Sequence, residues 1–178
     1  MSVRGRATLV SFATCLMVAL WLPSCSVGEH PYVMVQVCVE NKAGVERFKQ
    51  TLQSMARDER MRYVDRSDAS ERELQVLDAL KRPRGTLVNV GVIGNEGHSL
   101  GAGNLGLNTY DIAVGFSHGS DREAGFEFSN RVIAQLEQHW TVKTVSKGSG
   151  AFPDPDCTEG VAAPPNHSVK PTPSARFD

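Results

Sequence analysis

The chain has 178 residues, 40% of them apolar and 22% charged, and a formal net charge of −1. That length supports one domain with a sizeable core. The balanced charge, with no basic run, argues against nucleic acid as a partner and against electrostatic attraction to anionic lipid.

Residues 1–24 read as an export leader, the signal peptide, rather than as part of the fold. Arg4 and Arg6 precede an apolar run from Ala7 to Leu22, and Leu22-Pro23-Ser24-Cys25 follows. Arginines of this kind stay on the cytoplasmic side while the apolar run enters the lipid. Leu22-Pro23-Ser24-Cys25 resembles the lipobox of bacterial lipoproteins, in which cleavage falls just before a cysteine that is diacylated. The resemblance implies a lipid, palmitate or a similar acyl chain, on Cys25. Ser26 stands where a retention aspartate would hold such a protein in the inner membrane, so the resemblance points to the outer membrane, facing the periplasm. Release of a soluble chain and retention as an uncleaved span are the other outcomes such a run allows. Loss of residues 1–24 leaves 154 residues with a formal charge of −3.

Residues 25–30 form a tether, and a first strand follows between Pro31 and Glu40, with Val33, Val35, Val37 and Val39 on one face. Cys38 lies in that strand, and with Cys15 gone and Cys25 acylated its only remaining companion is Cys157. In an oxidising envelope such a pair is a disulfide candidate. A buried free Cys38 would instead behave as a small hydrophobe, and no second Cys or His stands beside either residue at metal-ligand spacing.

Asn41 is placed to cap a helix whose stripe is Val45, Phe48, Leu52, Met55 and Ala56. After the charged turn at residues 57–60, Met61 to Asp65 reads as a short edge strand. Ser70 and Glu73 form a capping-box pattern that would open a second helix, with Leu74, Val76, Leu77 and Leu80 as its apolar side and Pro83 and Gly85 as its end. Next come two alternating runs, Val88-Val90-Val92 and Tyr110-Ile112-Val114-Phe116. They read as arms of a hairpin joined by a long glycine-rich connector, residues 95–106, longer than the roughly 2–5 residues of ordinary hairpin loops. Ser120 or Asp121 starts a third helix, with Ala124, Phe128, Val132, Ile133 and Leu136 buried despite Gly125, and Trp140 to Val145 makes a last strand. Six prolines and little apolar periodicity from Pro153 onward predict that residues 158–178 form a disordered, Pro-rich tail.

The domain at residues 31–157 is therefore expected to be α+β, a ferredoxin-like (split βαβ) antiparallel sheet with helices on one face and an added segment after the first helix. The first strand should be central, with the last strand beside it, which allows Cys157 to return to Cys38.

Three local patterns bear on chemistry. Gly101-Ala102-Gly103-Asn104-Leu105-Gly106 matches a dinucleotide fingerprint by letters but lacks the helix that would receive a pyrophosphate, so no cofactor is expected. Gly115-Phe116-Ser117-His118-Gly119 matches a nucleophile elbow. With Asp154 or Asp156 and His167 it has the chain order of a hydrolase, making a small serine hydrolase using Ser117 the rival reading. Glu96, His98, Asp111 and His118 are metal-competent types, but if the two arms pair directly, about ten strand residues at roughly 3.3 Å each separate the ends of the set, and no metal is expected. His139 reads as helix-terminal.

The reading these features favour is a lipid-anchored envelope protein that binds another protein or an envelope component, of the inhibitor, immunity or assembly-factor type. The connector, with Glu96, His98 and Asn104, is the expected recognition loop, dispensable to the core.

Overall fold

The computed structural model describes residues 31–76, 82–95, 97–146 and 148–157. The leader, Cys25, the tether up to His30, Glu96 and the 158–178 segment lie outside the described residues.

Strand β1 (Val33–Cys38) forms where valines alternate with Met34, Gln36 and Cys38. Helix α1 (Lys42–Asp58) starts at Asn41, whose side chain accepts the Gly44 N–H at 3.0 Å, supplying one of the donors a helix start leaves open. Its buried side is Val45, Phe48, Leu52 and Ala56. Strand β2 (Arg62–Asp65) leads into helix α2 (Ser67–Val76). Three strands follow, β3 (Asn89–Ile93), β4 (Ser99–Gly103) and β5 (Asp111–Ser117), and then helix α3 (Arg122–Glu137) and strand β6 (Thr141–Thr144). Asp121 caps α3 by accepting the Ala124 N–H at 3.0 Å.

The six strands form one antiparallel sheet in the order β2-β3-β4-β5-β1-β6. Within it β1-α1-β4-β5-α3-β6 is the ferredoxin-like unit, with β1 between β5 and β6 as expected. The added segment, β2-α2-β3, extends the sheet beyond β4. Strand alternation divides the faces cleanly. Val35, Val37, Ile112, Val114, Phe116, Leu100, Ala102, Val90 and Val92 form one core with Phe48 and Leu52 of α1 and Phe128, Val132 and Leu136 of α3.

The connector is the main correction. Val88-Val90-Val92 and Tyr110-Ile112-Val114-Phe116 do not pair with each other, because β4, drawn from the connector itself, lies between them. Leu100 and Ala102 point into the core and are 4% and 5% exposed. Two glycines and an alanine among its five residues hid this strand, since intrinsic preference disfavours glycine there while two flanking strands supply both sets of hydrogen-bond partners.

Asn104 is corrected with it. Fully buried, it donates through Nδ2 to the carbonyls of Thr86 at 2.9 Å and Thr109 at 2.7 Å, and its Oδ1 accepts the Val88 N–H at 2.9 Å. It fastens the exit of β4 to the chain entering β3 and β5 and cannot meet a partner.

Helix α2 also departs from expectation. It begins at Ser67, whose N–H is held by Asp65 Oδ1 at 2.8 Å, while Ser70 instead accepts a hydrogen bond from Asn89 Nδ2 at 2.8 Å. Val76, assigned to an apolar stripe, is 86% exposed. Leu77 and Leu80 lie outside the described residues.

Gly125 has a packing reason: a Cβ there would come within 2.5 Å of the His118 Cα, so α3 closes onto the end of β5 only with glycine at this position.

The Cys38–Cys157 disulfide is present, with Cα atoms 5.5 Å apart across a sequence separation of 119. In the chain-entropy model a loop of that length is worth about 4–5 kcal/mol.

Asn104→Ala strands two carbonyls and one N–H in the interior, and the expected loss of stability is about 3 kcal/mol or more. Leu105→Ala, next door and 66% exposed, should be near neutral. Denaturant midpoints of the two variants compare them directly.

Candidate functional site

Two surfaces gather polar groups. The first is a cleft of about 320 Å³ between the end of α1, the β3–β4 turn and α3, lined by Glu59, Arg60, Asn95, His98, Glu127 and Arg131 among others. The turn is closed by Gly94 N–H to the His98 carbonyl at 3.0 Å and Gly97 N–H to the Gly94 carbonyl at 3.2 Å, and Gly97 takes a φ of 84° that suits glycine. Gly94 makes room for the His98 ring, because a Cβ there would stand 2.8 Å from Nε2. That ring lies 5.2 Å from Phe128, with Nδ1 buried and without a hydrogen-bond partner among the described residues. Arg131 grips Glu59 with two hydrogen bonds of 2.8 and 3.1 Å, and Glu127 stands 3.8 Å away. This pair ties α3 to the end of α1. Being half exposed, it adds at most about 1 kcal/mol.

The second surface is the sheet face away from α1 and α3. Toward β1 and β5 it is crossed by a strap, residues 151–157, that ends at the disulfide. Gln36 Nε2 donates to the Phe152 carbonyl at 2.7 Å, the Asp154 N–H donates to Asp111 Oδ2 at 2.9 Å, and Asn108 Nδ2 donates to the Asp154 carbonyl at 2.6 Å. Lys143 forms an ion pair with the Asp154 carboxylate. Polar contacts and one covalent bond hold the strap, for Phe152 is 69% exposed.

Asp111 is buried beneath the strap. Burial raises its carboxyl above the usual range, opposed by hydrogen bonds from the Asp154 N–H and the Gln36 amide, while the Asp154 charge raises it further. Asp154 goes the other way, lowered chiefly by its hydrogen bond with Lys143.

Beyond the strap the face is low in relief, and Pro31 covers its β5 side, since a Cβ at Gly115 would stand 3.1 Å from the Pro31 Cβ. Gly91, Gly101 and Gly115 stand in register across β3, β4 and β5, with Val64 opposite Gly91 and Met34 opposite Gly115 closing the row. A Cβ built at Gly101 meets nothing within 4 Å.

The residues singled out from sequence separate. Ser117 is the last residue of β5, Gly119 lies in a turn, and α3 starts only at Arg122, so the Gly115–Gly119 letters do not pass directly from strand to helix. Asp154 is bonded to Asp111, six residues from Ser117 along β5 and so about 20 Å away. Asp156 is bound to Asp154, its N–H meeting Oδ1 at 3.0 Å, and His167 lies outside the described residues. The hydrolase constellation is not assembled. His98 and His118, expected far apart, share one end of the sheet because Ser99 pairs with Ser117; Asp111 is at the other end, and Glu96 is outside the described residues. His118 turns toward Tyr32, ring centroids 5.3 Å apart, and His139 packs on Trp140 at 5.4 Å. Gly101 and Gly103 lie within β4, and a strand follows the motif. The strap and the glycine row were missed. The one signal for the row was the spacing of glycines through residues 91–115, legible only once β4 is known to be a strand.

Comparison with protein-family models, curated proteins and solved structures finds no match.

Because Lys143 lowers the folded-state pKa of Asp154, that pair stabilises the strap above the ordinary carboxylate pKa, and the contribution is lost as pH falls through the folded value. Asp154→Asn should therefore be less stable than the parent at neutral pH, and the gap should close on acidification through the carboxylate range. Thermal melts of both proteins across pH test this, and a gap independent of pH would mean that charge is not the cause.

Proposed function

We propose that this is a lipid-anchored cell-envelope protein whose α+β domain binds a protein partner through the open face of its sheet. The observation that carries the reading is the pair Gly91 and Gly101, in register on that face and uncovered by any side chain. Each glycine in a strand costs roughly 0.5–1 kcal/mol relative to alanine, and such positions mark close approach by another backbone or a ligand. An antiparallel sheet that only met solvent on this side would carry polar side chains there. Here Gly91 and Gly101 leave bare backbone, while Pro31 of this chain already packs over Gly115; Val64 and the strap bound the floor, with Ile93 and Arg62 exposed at one end. The recognition role expected of the connector passes in this reading to the face that the connector's own glycines help to floor.

The anchor rests on Leu22-Pro23-Ser24-Cys25. Two acyl chains on Cys25 would hold the domain stably, where one chain is marginal. An anchored binding module of this size fits inhibitor, immunity and assembly-factor roles alike.

Cys25→Ala should leave the membrane fraction after a carbonate wash, and mass spectrometry of the parent should show an acylated N-terminal cysteine. Retention of the variant in the membrane would assign the anchor elsewhere.

Gly101→Arg projects a long side chain from the middle of the row into open space and leaves the fold intact. Crosslinking in cells should capture a partner with the parent and lose it with Gly101→Arg at an unchanged melting temperature. Equal capture by both proteins would exclude this face.

A further inference from the structure

We propose that the end of the domain marked by Tyr32 and Phe126 rests on the bilayer that holds the anchor, with the Phe126 ring in the headgroup layer of zwitterionic lipid. The proposal builds on the lipid-anchor reading above and adds an orientation to it.

Covalent reach sets the first limit. Six residues, Ser26 to Pro31, separate Cys25 from Tyr32, and at about 3.3–3.6 Å per residue they span roughly 20 Å at full stretch. A domain of this size has a radius of gyration of about 14 Å, or roughly 35 Å across. The start of β1 therefore cannot move from the membrane by as much as the width of the domain. The sheet end containing Val33, Phe116, Ser117 and the β3–β4 turn stays near lipid.

The second observation is what that end presents. Tyr32 is half buried and its hydroxyl donates to the Gly125 carbonyl at 2.7 Å, which fixes its ring at the point where the tether arrives. Phe126 packs against this ring edge to face, centroids 4.9 Å apart, yet remains 48% exposed and outside the core cluster. Exposed Pro31 and, across the sheet end, Ile93 at 38% exposure extend the apolar rim. Aromatic rings beside polar groups suit the membrane–water interface, where the ring leaves water and its neighbours stay wet. Isolated exposed apolar side chains are ordinary on any protein; Phe126 is set apart by its position beside the tether.

Charge decides the lipid. Asp121 and Glu123 flank Arg122 at the start of α3, and Arg131 is committed to Glu59. Glu59 and Glu127 are matched at this end by Arg60 and Arg62, so the surround is near neutral, anionic headgroups gain little and apolar contact with zwitterionic lipid carries the docking. The opposite end, with exposed Leu105 beyond β4, then points away from the membrane.

The test uses the processed protein, beginning at Cys25, purified from membranes and reconstituted in phosphatidylcholine vesicles containing lipid with a spin label near the headgroup. Phe126→Trp and Leu105→Trp are compared; both sites are exposed, and buried Trp140 gives the same background in each. Phe126→Trp should be quenched about twofold or more relative to Leu105→Trp, as interfacial burial of one ring and not the other requires. Equal quenching, or stronger quenching of Leu105→Trp, in protein that floats with the vesicles overturns the docking and leaves the anchor standing. Protein that neither floats nor carries an acyl mass on Cys25 overturns both.

Discussion

Pairing of β1 along both edges, with β5 on one side and β6 on the other, obliges its two faces to carry different loads. The face with Val35 and Val37 is sealed by α1 and α3 and takes the apolar burial that drives folding. The other face presents Met34, Gln36 and Cys38, and two of these three hold the C-terminal strap: Gln36 through the Phe152 carbonyl, Cys38 through its disulfide with Cys157. A shift of β1 by one residue would exchange the faces, putting Gln36 and Cys38 into the core and detaching the strap. Helix packing, strap and disulfide thus all depend on one register.

From that register the rest of the sheet follows by alternation. Met34 sets Gly115 on the open face, Gly115 sets Gly101, and Gly101 sets Gly91. Bare backbone is possible there because the opposite face already closes the core; glycines facing α1 and α3 would have left cavities. The strap covers the β1–β5 side with polar contacts around Asp111 and leaves β3 and β4 uncovered. The face is consequently divided between a closed half, fastened covalently, and an open half of low relief.

The proposed anchor gives this division a direction. Tyr32, two residues after His30, stands at the end where β5 finishes, while the strap's disulfide lies at the far end of β1. In that proposal the strands run between a membrane-proximal and a distal end, and the open half lies along them, reachable from the side.

Much of this was legible in the chain. Period-two valines, the Asn41 and Asp121 caps and the stripes Val45-Phe48-Leu52 and Phe128-Val132-Leu136 specified four elements, since short-range hydrogen bonds and burial of one face act within a few residues. The order of those elements implied the ferredoxin-like sheet with β1 beside β6, and even cysteine usage after export suggested the bond between Cys38 and Cys157. What tertiary structure alone decided was β4 and everything that depends on it. Ser99–Gly103 has little intrinsic preference for a strand; it becomes one because β3 and β5 offer partners on both sides and Asn104 ties its exit down with three hydrogen bonds. A sequence displays the preferences of each segment, whereas pairing energy between segments distant in the chain exists only once they meet. Asn104 accordingly read as a loop residue and is a buried clasp, Gly101 read as part of a loop and with Gly91 floors the open face, and Ser117 and Asp154 read as one constellation and stand at opposite ends of a strand.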